Sequence, residues 1–128
     1  MKEETHMAHI LVIEDDVQFR QMLVQMLQQD RHQVAIAGDG IEAMHLLQQI
    51  RPDLIVTDIL MPNMDGVETI MELSQQGNDT PIIAISGGRR SISSEFNLES
   101  AALLGVKATL AKPFSRADLR KAIEEALA

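Results

Sequence analysis

Acidic and polar side chains follow four of five short apolar runs in the sequence. These residues are Glu14, Asp15, Asp58, Ser86 and Lys112. Neighbouring carboxylates about 4 to 5 Å apart repel each other by roughly 3 to 4 kcal/mol per pair. A hard divalent cation relieves this repulsion, and oxygen ligands without histidine or cysteine favour Mg²⁺, with Mn²⁺ as an alternative. Because Mg²⁺ also favours phosphate oxygens, the pattern indicates a site for a phosphoryl group.

The apolar runs themselves predict five β-strands. They are rich in valine and isoleucine and are flanked by turn residues, a pattern typical of strands buried on both faces of a parallel sheet. The predicted strands cover residues 8–13, 33–37, 53–58, 81–86 and 108–111.

The segments between the strands have helical periodicity, with apolar residues at spacings of three and four. Asp16 is expected to cap the first helix, and Ser115 with Asp118 forms a capping-box pattern before the last one. The periodic segments are 19–27, 41–47, 67–73, about 92–104, and 119–127.

Strands that alternate with helices predict parallel βαβ units with right-handed crossovers. We therefore expect an α/β fold with a doubly wound five-stranded parallel sheet and helices on both faces. In such a sheet the functional site lies at the carboxyl ends of the strands, where all five polar residues fall. Residues 1–7 are predicted to be a disordered leader and residues 8–128 a single domain.

Composition excludes several classes of function. The net charge of -8 disfavours direct nucleic-acid binding, and the lack of cysteine rules out thiolate metal sites. No apolar run reaches the roughly 18 residues that a membrane span needs, and there is no signal-peptide pattern. These features favour a cytoplasmic protein without membrane contact.

Four motifs in a fixed order resemble those of the response-regulator receiver family. They are ILVIEDD, PDLIVTDILMPNMDG, PIIAIS and LAKPF, and the resemblance covers about residues 9–128. It implies a flavodoxin-like strand order, 2-1-3-4-5. It also implies that Asp58 is the phosphoacceptor and that Asp15 binds Mg²⁺ directly. Glu14 would bind the metal through water, and the backbone carbonyl of Leu60 would be a further ligand.

The resemblance also assigns the remaining polar residues. Ser86 matches the hydroxyl that bonds the phosphoryl group, and Lys112 matches the lysine that neutralises its charge, with a cis peptide before Pro113. One departure is Thr109, which stands where the family often has a switching aromatic residue. We therefore expect phosphorylation to be reported mainly by the segment after Ser86.

The resemblance implies a signalling switch that phosphorylates and dephosphorylates itself, rather than an enzyme with turnover. Its partners would be a sensor histidine kinase or a histidine phosphotransfer protein upstream and an output protein or domain downstream.

Three alternatives remain open from the sequence. The chain could be a receiver excised from a longer regulator with an output domain. A flavodoxin-like cofactor binder would need a hydroxyl- and glycine-rich phosphate loop after the first strand, where this chain has Glu14, Asp15 and Asp16. An aspartyl-nucleophile phosphatase would need a second acid two residues after Asp58, where this chain has Leu60.

Overall fold

The computed structural model describes residues 7–59, 66–86 and 105–128. Its strands match the predicted ones to within one residue at each end. They are β1 (His9–Ile13), β2 (Gln33–Ala37), β3 (Leu54–Asp58), β4 (Ile82–Ser86) and β5 (Ala108–Ala111).

The helices of the described residues also follow the predicted periodic segments. They are α1 (Val17–Gln29), α2 (Gly40–Leu46), α3 (Gly66–Gln75) and α4 (Arg116–Leu127). None of these helices has the length and apolar character needed to cross a membrane. The helix predicted at 92–104 lies outside the described residues, as do residues 1–6 of the predicted leader.

All strands pair in parallel in one sheet, in the order β2-β1-β3-β4-β5. This confirms the predicted doubly wound topology. The direction of winding reverses at β1, so the carboxyl ends of β1 and β3 lie side by side at the switch point. The register places Asp58 of β3 beside Ile85 of β4, and Ser86 beside Ala111 of β5.

Alternate residues of β1 enter two hydrophobic layers on opposite faces of the sheet. Ile10 and Val12 belong to the layer beneath α1 and α4, whereas Leu11 and Ile13 belong to the layer beneath α2 and α3. Helices on both faces therefore fix β1 in the middle of the core, which holds the residues that follow it in place.

The expectation that every strand is buried on both faces was wrong for the edge strands. All residues of β3 and β4 are buried, but Ile36 of β2 is 45% exposed and Thr109 of β5 is also exposed. An edge strand has a neighbour on one side only, so the helices cover it less completely. The apolar character of QVAIA and ATLA could not reveal their position in the sheet.

Helix caps are as predicted. The Asp16 carboxylate accepts a hydrogen bond from the Phe19 amide at 3.1 Å and starts α1. Ser115 and Asp118 form the reciprocal capping box of α4. These caps satisfy amides that a helix leaves unpaired and fix where each first turn begins.

Asp30, which closes α1, connects that helix to α4. Its carboxylate accepts hydrogen bonds from Arg120 at 2.9 and 3.0 Å and from Arg116 at 2.6 Å. The hydrogen bond from Arg120, supported by Arg116 and opposed by burial, lowers the pKa of Asp30 to about 2. The carboxylate therefore remains charged down to strongly acidic pH and holds the two helices together.

Candidate functional site

Three carboxylates converge at the carboxyl edge of the sheet. Glu14 and Asp15 follow β1, and Asp58 ends β3. One oxygen from each of the three lies within 4.8 Å of the others. Glu14 is only 1% exposed and Asp58 4%, whereas Asp15 is partly exposed. The predicted convergence of these acids is therefore present in the fold.

Lys112, just after β5, places its ammonium between two of these acids. Its Nζ donates a hydrogen bond to Asp58 Oδ2 at 2.9 Å and lies 3.1 Å from Glu14 Oε1. The second contact is an ion pair whose angle does not make a hydrogen bond. Burial alone would lower the pKa of Lys112, but the hydrogen bond and charge of Asp58, together with Glu14, outweigh it and raise the pKa above its usual value. Lys112 therefore stays protonated.

The ionised form of Glu14 is disfavoured at its position in the fold. Burial, and then the charge of Asp58, raise its pKa to about 7, although Lys112 and the Asp16 amide act in the other direction. The Asp16 amide donates to Glu14 Oε2 at 3.1 Å, and the Arg20 guanidinium donates to the Glu14 carbonyl oxygen at 3.0 Å. Lys112 is thus within ion-pair distance of two of the three clustered carboxylates.

Ser86 ends β4, between the strands that carry Asp58 and Lys112. Its carbonyl oxygen accepts a hydrogen bond from the Lys112 amide at 2.8 Å, and the peptide between Lys112 and Pro113 is cis, as expected. The hydroxyl of Ser86 is buried and has no hydrogen-bond partner within the part of the chain that the structure describes. It remains available to donate to a further oxygen at this edge.

Gly66, at the start of α3, is a residue of the site that the sequence analysis did not single out. A Cβ atom there would lie 2.2 Å from the Asp58 carbonyl oxygen and 2.7 Å from Ile59 Cα, far inside contact distance. Its amide donates to the Ile59 carbonyl at 2.8 Å. The Asp-Gly pair in PNMDG was a signal of a turn, but the sequence could not show that the backbone of β3 passes so close.

Phe19, in the first turn of α1, was also missed as part of the site. The Lys112 ammonium lies 4.1 Å from the centre of its ring, within cation–π range. Phe114 packs edge-on against the same ring at a centroid distance of 5.6 Å and an interplanar angle of 85°. In the sequence, Phe19 belongs to the periodic apolar face of the first helix, and this pattern predicted only that it packs on the core.

The residues present fit a hard divalent cation. The three acids offer only oxygen ligands, as Mg²⁺ and Mn²⁺ prefer, and Glu14 Oε1 is buried without a hydrogen-bond donor in the described part of the chain. Burial, and then the charge of Asp58, raise the pKa of Glu14, and a cation would offset both effects by stabilising the ionised carboxylates. The predicted carbonyl ligand, Leu60, lies outside the described residues.

Comparisons with known proteins agree with this geometry. Residues 10–124 match the response regulator receiver domain family. Response regulator MprA of Mycobacterium sp. (strain KMS) is 37% identical over 112 residues, which are 88% of this chain and 47% of that protein. The chain thus spans about half the length of the curated relatives it matches.

Two solved structures show the same fold. The chemotaxis protein CheY4 of Vibrio cholerae superposes with a TM-score of 0.82 and 31% identity, over 95% of this chain and 100% of that one. NtrX from Brucella abortus has a TM-score of 0.86 and 27% identity, over 95% of this chain and 27% of that one. With its acidic cluster at the carboxyl edge of a 2-1-3-4-5 sheet, the chain belongs to the response regulator receiver domain family.

Proposed function

We propose that this receiver domain accepts a phosphoryl group on Asp58 from a phosphohistidine, in a reaction that requires Mg²⁺ or Mn²⁺. The observation that carries the proposal is the position of the Asp58 carboxylate. It lies at the end of a buried strand, within ligand distance of two further acids and hydrogen-bonded to a lysine. A carboxylate held in this way can act as a nucleophile towards phosphorus.

The proposed transfer is a nucleophilic displacement at phosphorus. An oxygen of Asp58 forms a bond to phosphorus while the bond from phosphorus to the imidazole nitrogen of the donor breaks, and that nitrogen keeps the electron pair. The Lys112 ammonium, now on Asp58 Oδ2, moves to an oxygen of the arriving phosphoryl group, where negative charge develops. The Ser86 hydroxyl, which has no hydrogen-bond partner among the described residues, donates to another phosphoryl oxygen.

The metal has a defined role in this proposal. Asp15 and Asp58 would hold it directly, Glu14 through water, and the Leu60 carbonyl would complete the set of protein ligands. When bound, Mg²⁺ supplies positive charge that offsets both the carboxylates and the phosphoryl oxygens.

A sensor histidine kinase or a histidine phosphotransfer protein would supply the phosphohistidine, and an output protein or domain would respond. The domain would act in the cytoplasm as a switch that also loses its phosphoryl group unaided. A receiver within a longer regulator is the alternative context: MprA is about twice as long as the matched region, whereas CheY4 is matched over its full length.

Mass spectrometry after incubation with acetyl phosphate and Mg²⁺ tests the proposal. We expect one added phosphoryl group, labile to hydroxylamine, in the wild type and in Asp79→Asn, a control that alters an exposed aspartate outside the site. Asp58→Asn and omission of the metal should each prevent labelling. Full labelling of Asp58→Asn, mapped to another residue, would refute the assignment of Asp58.

A further inference from the structure

We propose that Phe19 is a positioning residue for phosphoryl transfer, which acts by holding the Lys112 ammonium over its ring. The inference rests on the proposed function of Asp58. It adds a residue from a helix that contributes no charged group to the transfer itself.

The geometry of the ring is fixed from both sides. The N-cap bond from the Phe19 amide to Asp16 sets the first turn of α1. Phe114, which precedes the cap of α4, supports the ring edge-on. The ring that lies 4.1 Å from the ammonium is therefore placed by the starts of two helices.

The ring has a property that the other two contacts of Lys112 lack. Asp58 and Glu14 attract the ammonium through charges that change when Asp58 is phosphorylated or a metal enters. The quadrupole of a phenyl ring does not change in either event. The ring can therefore keep the ammonium at the site while it transfers from the Asp58 carboxylate to a phosphoryl oxygen.

The ring also limits the freedom and hydration of the lysine. The Lys112 side chain is 14% exposed, so the contact lies in a mostly desolvated place, where cation–π interactions are strongest. A leucine at position 19 would fill part of the space but offer no negative face. Lys112 would then sample more orientations, and fewer of them would suit the transition state.

Phe19 also packs against the hydrophobic core, so stability alone cannot distinguish the two roles. The test compares Phe19→Leu, Phe19→Tyr, which keeps the ring, and Met26→Leu, which alters another partly buried residue of α1 in the same layer. The first readout is the NMR shift of the lysine methylene protons next to the ammonium. Lys112→Arg assigns the signal among the four lysines of the chain.

We expect the Lys112 methylene signal to be shifted upfield by the ring in the wild type, in Phe19→Tyr and in Met26→Leu, but not in Phe19→Leu. The rate constant for phosphorylation by acetyl phosphate should fall about five- to tenfold in Phe19→Leu, the range a desolvated cation–π contact supports. Phe19→Tyr should restore it to within about twofold, and Met26→Leu should leave it unchanged.

The outcomes separate the two proposals. If the wild type is not phosphorylated on Asp58, the proposed function fails and the role of Phe19 fails with it. If the wild type is phosphorylated and Phe19→Leu reacts at the same rate, only the positioning role is wrong. A loss of rate that Phe19→Tyr and Met26→Leu share would also overturn it, because that pattern reports packing rather than the ring face.

Discussion

Replacing Glu14 by glutamine should make the metal-free protein more stable at alkaline pH. The carboxylate is 1% exposed and lies beside Asp58, and its pKa is about 7 against an ordinary 4.5. Since each pKa unit corresponds to about 1.4 kcal/mol, ionised Glu14 destabilises the folded state by about 3 kcal/mol. Glutamine has a similar shape without the charge, so we expect it to recover about 1 to 3 kcal/mol.

The sign of the pH dependence follows from the raised pKa. Folding takes up a proton at Glu14 between about pH 4.5 and pH 7, so the wild type loses stability as the pH rises through this window. Glu14→Gln lacks this dependence. The two proteins should therefore be equally stable near pH 4.5, and the full difference should be present above pH 7.

Urea unfolding followed by far-UV circular dichroism suits this measurement, because the chain has no tryptophan or tyrosine to serve as a fluorescent probe. EDTA removes divalent metals, and Glu125→Gln, the same change at an exposed position of α4, is the control. Added Mg²⁺ should stabilise the wild type more than Glu14→Gln and so narrow the difference. A variant that is less stable than the wild type in EDTA at pH 8, or a difference independent of pH, would refute the electrostatic reasoning.

Three further predictions concern other parts of the structure. Asp30→Asn should lower the free energy of unfolding by about 1 kcal/mol at neutral pH, a value that allows for the partly exposed arginines. Because the pKa of Asp30 is lowered from 3.8 to about 2, this loss should disappear as the pH falls through that range. A difference in urea midpoints that is unchanged at pH 2 would contradict the prediction. Gly66→Ala should destabilise by about 2 to 4 kcal/mol in the same assay, because its Cβ would lie 2.2 Å from a carbonyl oxygen of β3. Gly38→Ala, whose Cβ would meet the ends of two flexible side chains, Glu42 at 3.3 Å and Arg20 at 3.7 Å, is its control, and equal losses would argue against the clash. Asp15→Asn should weaken Mg²⁺ binding in calorimetric titration more than Glu14→Gln does, since Asp15 is the expected direct ligand; equal affinities would count against that assignment.

The fold was predictable because it depends on patterns within single segments. Strand lengths, helix periodicity and caps such as Asp16 are all local, and alternating elements restrict the sheet to parallel pairing. Once the strands are parallel, residues at their carboxyl ends must meet at one edge. Glu14, Asp58 and Lys112 could therefore be brought together from their positions in the sequence alone.

The remaining features depend on distances between side chains or backbones of different elements. The contact of Phe19 with Lys112 and the approach of Gly66 to β3 are set by how α1 and α3 settle on the sheet. The spacing of apolar residues in α1 would be the same whether the Phe19 ring contacted only the core or also the Lys112 ammonium, so the spacing could not reveal the second contact. The exposure of Ile36 likewise depends on which strand lies at the edge, which its own segment does not encode.

The position of Lys112, directly after the last strand, has a consequence for how the native contacts of the site form. Lys112 pairs with Asp58 across 54 residues of sequence, and β5 joins the sheet only through β4. Contacts between residues so distant in sequence carry a larger entropic cost of loop closure than local contacts do. Pairing of β5 with β4 therefore both completes the described sheet and brings the Lys112 ammonium to Asp58 and Glu14, which links the C-terminal part of the chain to the centre of the site.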